Sequence, residues 1–341
     1  MHDILVIGSA TRDGFFEGIP FVFVKDKKFR VGKGIALPYG GKVKVPKVTF
    51  TTGGGGTNTA VTFSRQGLRT CCISCIGQDV SGEEIKRSLQ AEKVDTRFFQ
   101  VDKKNTTAYS VIFLTSTGER TILSYKGAGD NISEKLIPWN KIQSKWLYLS
   151  SLAGNKNLLL QAVNFSRKKD VFLAINPGMG ELFNFKKSPK LLSNFDVFVL
   201  NQEEASFLTG IPFTKEKEIF QKLDDLIQGV VVMTKGPEGV VVSDGANLWR
   251  AGIYREKKLA DRTGAGDAFA SGFVAALVNK KAFKVKNRSV FREKDIEMAI
   301  RLASANATSK VEAIGAKTGL LHKKDLSNRR WKRLPIEKIY L

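Results

Sequence analysis

The residue types and spacing with most chemical potential in this chain lie in one short stretch, Asp261-Arg262-Thr263-Gly264-Ala265-Gly266-Asp267. It stands directly before a segment in which Phe269, Gly272, Phe273, Ala276 and Leu277 recur at helical spacing and form one apolar face. A helix N-terminus offers unpaired N–H groups and the positive end of a dipole, and glycines let a phosphate approach that backbone closely. Asp267 would repel a phosphate if it served as its ligand. As the acceptor of a proton from an attacking hydroxyl, a carboxylate fits that place well. Taken alone, the same residues also fit an ordinary capped helix start, since Asp is a favoured cap.

Three further segments carry polar or glycine-rich patterns. Gly53-Gly54-Gly55-Gly56-Thr57-Asn58 holds four consecutive glycines, which would cost about 1 kcal/mol each inside a helix or strand, so they point either to a close approach or to a flexible loop. Asn58 both donates and accepts hydrogen bonds, which suits a polyhydroxylated ligand. Asn201 and Glu204 follow an apolar run and share a face if a helix starts there. Such an oxygen pair can hold Mg²⁺ through water, or simply cap the helix. Thr234-Lys235-Gly236-Pro237-Glu238-Gly239 reads as a turn between two strands. Neither a Gly-x-x-x-x-Gly-Lys-Ser/Thr nor a Gly-x-Gly-x-x-Gly pattern occurs.

The elements that must position these residues follow from the apolar pattern. Short runs without alternation, Ile4–Ile7, Cys71–Ile76, Trp146–Leu149, Val171–Ile175, Val197–Leu200 and Val230–Met233, fit strands buried on both faces of a parallel sheet. Between them lie the helical candidates Gly82–Ala91, Asn155–Lys168, Lys215–Gln228 and Glu293–Lys310. The fold class expected is α/β, a doubly wound and mostly parallel sheet flanked by helices, with ligands at the carboxyl ends of the strands. Residues 15–50 and 97–125 break this rhythm with short strands, Phe21–Val24, Lys42–Val45, Lys47–Thr51, Ala108–Leu114 and Thr121–Ser124, the last two around a turn at 116–119. They predict a small β-sheet lid projecting from one domain, residues 1–322. Residues 323–341 form a basic C-terminal tail.

In this order the motifs resemble the ribokinase family, the PfkB-type sugar and nucleoside kinases. Asp-x-Thr-Gly-Ala-Gly-Asp at 261–267 is the most specific element. Gly-Gly-x-Gly-x-Asn at 53–58 is similar to the family's N-terminal signature, with Gly55 where Lys or Ser is often found. Gly8-Ser9-x-x-x-Asp13 and Asn-x-x-Glu at 201–204 complete the set. The resemblance implies ATP-dependent transfer of a phosphoryl group to a sugar hydroxyl, with Asp267 as base and Gly264, Ala265 and Gly266 as an anion hole. It implies that Asp13, Gly54, Gly55 and Asn58 hold the substrate. Thr234, Lys235, Gly236, Gly239 and Asn306 would line the ATP site, and Asn201 and Glu204 would position Mg²⁺ through water. Asp261 with Gly315 would lie at a monovalent-cation (K⁺) site. Lids of related enzymes pair between subunits, which implies a homodimer.

Composition narrows the alternatives. The chain has 341 residues, two histidines at its opposite ends, and three cysteines clustered at 71, 72 and 75. Ser-His-Asp, Cys-His and His-rich metal chemistry therefore lack their central residue. The cysteines read as buried structural thiols and suit a reducing cytoplasm. No signal peptide and no apolar run of about 20 residues is visible, so no membrane role is expected. The net charge of +22 raises a rival from another class, a nucleic-acid-binding protein. Its basic residues are scattered and mostly Lys, which favours a solvated surface. Within the family, a nucleoside such as adenosine is the alternative substrate, kept open by Phe15, Phe16, Phe21 and Phe23 near the lid.

Overall fold

The computed structural model describes residues 1–29, 32–115, 119–280, 282–285 and 288–340. Its centre is a nine-stranded sheet. From one edge to the other, the strands are Ile336–Tyr340, Asn247–Ala251, Val240–Ser243, Val230–Thr234, Val197–Asn201, Phe172–Ile175, Ser144–Leu149, His2–Ile7 and Thr70–Ile73. The six strands from Val230–Thr234 to Thr70–Ile73 run parallel, and the three at the other edge are antiparallel. The reason for the unalternating runs is visible in the packing. Ile4 and Val6 enter one apolar core and Leu5 and Ile7 the other, so both faces of the strand are dry. Helices Gly55–Arg65, Ala265–Leu277 and Glu293–Val311 cover the first face, and Lys156–Lys169 and Glu216–Leu226 the second.

Local signals fix several boundaries. Asp79 and Asn155 cap their helices by accepting from the N–H groups of Gly82 at 2.8 Å and Leu158 at 3.0 Å. The helix Ala265–Leu277 is buried nearly all round rather than on the one face its spacing suggests, because it lies between the helices Gly55–Arg65 and Glu293–Val311. Gly272 permits that closeness: a Cβ there would come within 3.0 Å of Ala303 Cα.

The structure departs from three expectations. The run Cys71–Ile76 is two strands, Thr70–Ile73 at the edge of the large sheet and Cys75–Gly77 paired with Gln100–Asp102. Its neighbour His2–Ile7 ends beside Ile73, so beyond that point the chain must find another partner. Lys42–Val45 is not a strand, and Pro46, which has no N–H to donate, follows it. The stretch set apart as a basic tail is part of the same body. Ile336–Tyr340 pairs with Asn247–Ala251, the Trp331 carbonyl accepts from Tyr254 Oη at 2.7 Å, and Arg330 is paired with Glu312.

A separate four-stranded sheet has the order Arg120–Tyr125, Ala108–Leu114, Thr11–Glu17, Lys47–Gly53. It therefore includes Asp13 and begins earlier than residue 15, whereas Gln100–Asp102 belongs elsewhere. Val22–Lys25 and Lys33–Ala36 form a hairpin beside it. Residues 116–118 of the expected turn lie outside the described residues. Cys71, Cys72 and Cys75 are free and buried, and burial pushes the Cys72 and Cys75 thiols up to about 12 and about 11.

Candidate active site

Two helix N-termini converge on one carboxylate. Gly264 is the N-cap of Ala265–Leu277 at φ 76°, a left-handed conformation that glycine adopts without strain. Asp267 follows as the third residue of the helix. Its Oδ2 accepts from Asn58 Nδ2 at 2.9 Å, and Asn58 lies in the first turn of the helix Gly55–Arg65. Burial raises the Asp267 pKa above the ordinary carboxylate value, against the pull of the Asn58 amide. The other side-chain atom of that amide, Asn58 Oδ1, is buried and has no hydrogen-bond partner among the described residues.

The glycine run is a device for close approach. Gly54 has φ 96°, and a Cβ there would stand 2.5 Å from the Ser9 carbonyl oxygen. A Cβ at Gly56 would stand 2.5 Å from the Gly8 carbonyl carbon, and one at Gly55 only 2.1 Å from Ser150 Oγ and 3.4 Å from Asp267 Oδ1. The helix start can thus press against the loop after the first strand and face Asp267. The departure at position 55 has a local cause, since the Ser150 hydroxyl fills the space a side chain would need.

Asp13 lies in the strand Thr11–Glu17, level with Thr51 and Ser110 on its neighbours, and is 4% exposed. Burial lifts its pKa to about 6, while a hydrogen bond with Ser110 and the charge of Lys317 oppose the rise. Lys317 Nζ donates to Thr52 Oγ1 at 2.7 Å, and burial draws its pKa down to about 7. Buried Asp13 beside Gly53 and half-buried Lys317 on Thr52 are thus groups of opposite type at one strand end, each moved toward its neutral form.

A polar cleft spans Arg120, Asn201, Glu204, Thr234 and the turn Gly264–Asp267. Asn201 and Glu204 form a reciprocal cap: the Glu204 N–H donates to Asn201 Oδ1 at 2.9 Å, and the Asn201 N–H to Glu204 Oε2 at 2.8 Å. The helix-capping reading of these residues is the one the hydrogen bonds show, and both residues also line the cleft. Burial raises the pKa of Glu204. A carboxylate and an amide oxygen form an oxygen donor set that fits a hard cation such as Mg²⁺. Nothing stands within 4 Å of where a Gly266 Cβ would be, so a ligand can reach that backbone. The cleft continues through Thr234, Ala265 and Gly266 into an apolar one lined by Gly236, Gly239, Phe269 and Ala307.

Three expected residues behave differently. Asn306 is fully buried and does not line the apolar cleft. Its amide donates to the Ala268 carbonyl at 2.8 Å and its Oδ1 accepts from the Leu321 N–H at 2.8 Å. Ser304, Ala307 and Thr308 face the cleft instead. Lys235 points away, held by Glu216 at 3.0 Å and Glu238 at 3.4 Å. Asp261 does not face a free ion. Its carbonyl and its carboxylate are both taken by the Lys310 ammonium, and Gly315 contributes its N–H to Asp261 Oδ2 at 3.1 Å. The residues present therefore do not fit K⁺ at this position.

Sequence reasoning missed Arg120, Lys317, Ser150 and Lys310. The Nε of Arg120 is buried without a partner among the described residues and its side chain lines the polar cleft. No local pattern marks Arg120, Lys317 or Ser150, because each reaches the site by tertiary folding. Lys310 did leave a signal: it shares the stripe Ala299, Ala303, Asn306 at helical spacing, where a charge is out of place.

Comparison with known proteins gives the family and the fold. Residues 1–323 match the model of the pfkB family carbohydrate kinases. Ribokinase of Haemophilus influenzae is 28% identical over 335 residues, covering 93% of this chain and 94% of that protein. Nucleoside kinase of Methanocaldococcus jannaschii has the same fold, with a TM-score of 0.74 at 18% identity over 96% of this chain and 97% of that one. Arabidopsis thaliana ribokinase, solved with ribose and ATP, gives a TM-score of 0.72 at 20% identity over 97% and 98% of the two chains. The chain belongs to the PfkB family of carbohydrate kinases, phosphotransferases with an alcohol group as acceptor.

Proposed function

We propose that this protein transfers the γ-phosphoryl group of ATP to a hydroxyl of a sugar or sugar-like small molecule. The observation that carries the reading is the Asp267 carboxylate, in the first turn of a helix whose cap is Gly264, hydrogen-bonded to Asn58. The acceptor hydroxyl gives its proton to Asp267 as its oxygen bonds to the γ-phosphorus. The bond from that phosphorus to the bridging oxygen breaks and ADP leaves. Backbone N–H groups of Gly264, Ala265 and Gly266 face the transferring group, and Arg120 adds positive charge beside it. Asn201 and Glu204 would hold Mg²⁺, which would supply positive charge to neutralise phosphate oxygens. Asp13, Gly54, Gly55 and the free Oδ1 of Asn58 receive the sugar hydroxyls. Thr234, Gly236 and Gly239 line the nucleotide cleft.

In this reading the small sheet is a lid that keeps water from competing with the acceptor. The enzyme acts as a homodimer through that sheet and works in the cytoplasm. A nucleoside acceptor is the second reading, favoured by an apolar cleft beside the lid lined by Phe21, Phe23, Leu114 and Ile314. Phe15 does not take part, since it is buried with Ile112 and Leu114 under the sheet. A thermal-shift screen of sugars and nucleosides with ATP and Mg²⁺, followed by acceptor-dependent ADP release, tests both. One sugar or nucleoside should raise the melting temperature and drive ADP release. Silence across both classes would sink the proposal.

A further inference from the structure

Lys310 lies in the last turn of the helix Glu293–Val311 and its side chain is wholly buried. An ammonium carries three hydrogens to donate and accepts none. Three oxygens surround this one: the Asp261 carbonyl at 2.7 Å, Asp261 Oδ2 at 3.2 Å and the Ala313 carbonyl at 3.4 Å. Each hydrogen therefore has an acceptor. One carboxylate oxygen and two backbone carbonyls, at the negative end of a helix dipole, form the kind of oxygen cage that hard cations occupy. Burial weakens the charged form of Lys310, and the Asp261 carboxylate supports it.

The charge is placed where it can act on the phosphoryl-binding turn. Asp261 Oδ1 accepts from the Thr263 N–H at 2.8 Å, and Oδ2 from the Gly315 N–H at 3.1 Å. The N–H groups of Ala260 and Asp261 donate to the Val311 carbonyl at 2.8 and 3.2 Å. Gly264 rests against Ala316, where a Cβ would meet the neighbour at 3.1 Å. A single positive charge thus ties the strand-to-helix loop 260–264 to the loop 311–316, directly behind the helix N-terminus that begins at Ala265. Removing it would leave a buried carboxylate uncompensated between two loops that must hold their spacing.

We propose that Lys310 is a built-in monovalent cation: its ammonium stands where an exchangeable ion would brace the anion-binding turn, so turnover needs no K⁺ from solution. The inference rests on reading Gly264–Asp267 as the phosphoryl-binding turn. A tethered ammonium cannot leave. Lys310 is thereby a positioning residue, acting on the turn through Asp261.

The test uses the full chain in chloride salts of K⁺, Na⁺, ammonium and choline at equal ionic strength. Two quantities are read: the melting temperature with ATP and Mg²⁺, and turnover with whichever acceptor the screen identifies. Both should be the same in all four salts. A rise specific to K⁺ in either would overturn the proposal. Lys310→Ala opens the cage, so its turnover in choline should fall by about 10²-fold, the effect of an ångström of misplacement, and recover on adding K⁺ or ammonium. Lys310→Met keeps the bulk without the charge and should fall without recovering. A folded Lys310→Ala with wild-type turnover in choline would overturn the idea, as would recovery of Lys310→Met by K⁺. Should Lys310→Ala not fold, the wild-type salt series decides the matter. The melting series needs no acceptor, so it reads the cation site even if the kinase reading fails in the acceptor screen.

Discussion

Asp13 and Asp267 are both carboxylates moved toward neutrality by burial, and the shift serves them differently. A higher pKa makes Asp267 a better proton acceptor near its working pH. Ionised Asp13 accepts charge-assisted hydrogen bonds from the acceptor's hydroxyls on both oxygens, and its pKa of about 6 makes that pH-dependent. As pH falls through 6 it takes up a proton, so kcat/KM for the acceptor should fall by about tenfold per unit below that point, and Asp13→Asn should abolish the inflection. The stability effect has the opposite sign. A folded pKa raised from 3.8 to about 6 gives a contribution fully present below pH 3.8 that is lost as pH rises through 6. At pH 8 Asp13 is ionised while Lys317 is largely uncharged, so no ion pair is lost and Asp13→Asn should keep its melting temperature there while losing acceptor affinity. A parallel loss of both would show that Asp13 is structural. Legibility at this scale had a clear limit. Asp267 and Asn58 could be read from their motifs, but Asn306 could not be separated from Ala307, because one residue turns a helix by about 100°. Lys235 was misread for a related reason, since a motif names a turn and not the direction of its side chains.

The elements show how far spacing alone carries. Strands buried on both faces announced themselves as apolar runs, and helices with Asp or Asn caps began close to where their caps indicate. The four glycines at 53–56 marked a close approach, but its object was unreadable: the partner is the chain's own loop at Gly8 and Ser9, some 45 residues away in sequence. Lys42–Val45 alternates as a strand should and is none, because a strand also needs a neighbour to pair with. The small sheet has the opposite problem of too much unburied surface. Its cross-strand row Phe50, Gly14, Val111, Leu123 places Phe50 and Leu123 on one face, where they are 54% and 57% exposed. Val48 and Tyr125, on the same face two residues along, are also exposed. Such a contiguous apolar face favours a second copy of the chain. Light scattering should give twice the chain mass, and Leu123→Glu should give the monomer. A wild-type monomer across the working concentration range would remove the dimer.

Across the whole molecule, the charge of +22 contributes less to the account than its size suggests. The polar cleft relies on a helix terminus, the oxygens of Asn201 and Glu204, and Arg120. The wider excess would act through long-range attraction of an anionic nucleotide, an effect screened by salt. Two histidines in 341 residues were the more useful number, because they left carboxylate and backbone chemistry as the main route. The α/β class was legible for the same reason that the strands were. The return of residues 336–340 to the edge of the large sheet was not, since that edge strand carries Glu337 and Lys338 between its apolar residues and reads as part of a basic tail. In the proposed reaction Asp267 takes the acceptor's proton during phosphoryl transfer from ATP. Acceptor-dependent ADP release by the wild type and by Asp267→Asn, with nucleotide affinity measured alongside, tests it most directly. Turnover of Asp267→Asn should fall by roughly 10²–10⁴ for loss of a general base, with ATP affinity retained. Wild-type turnover in Asp267→Asn would contradict it.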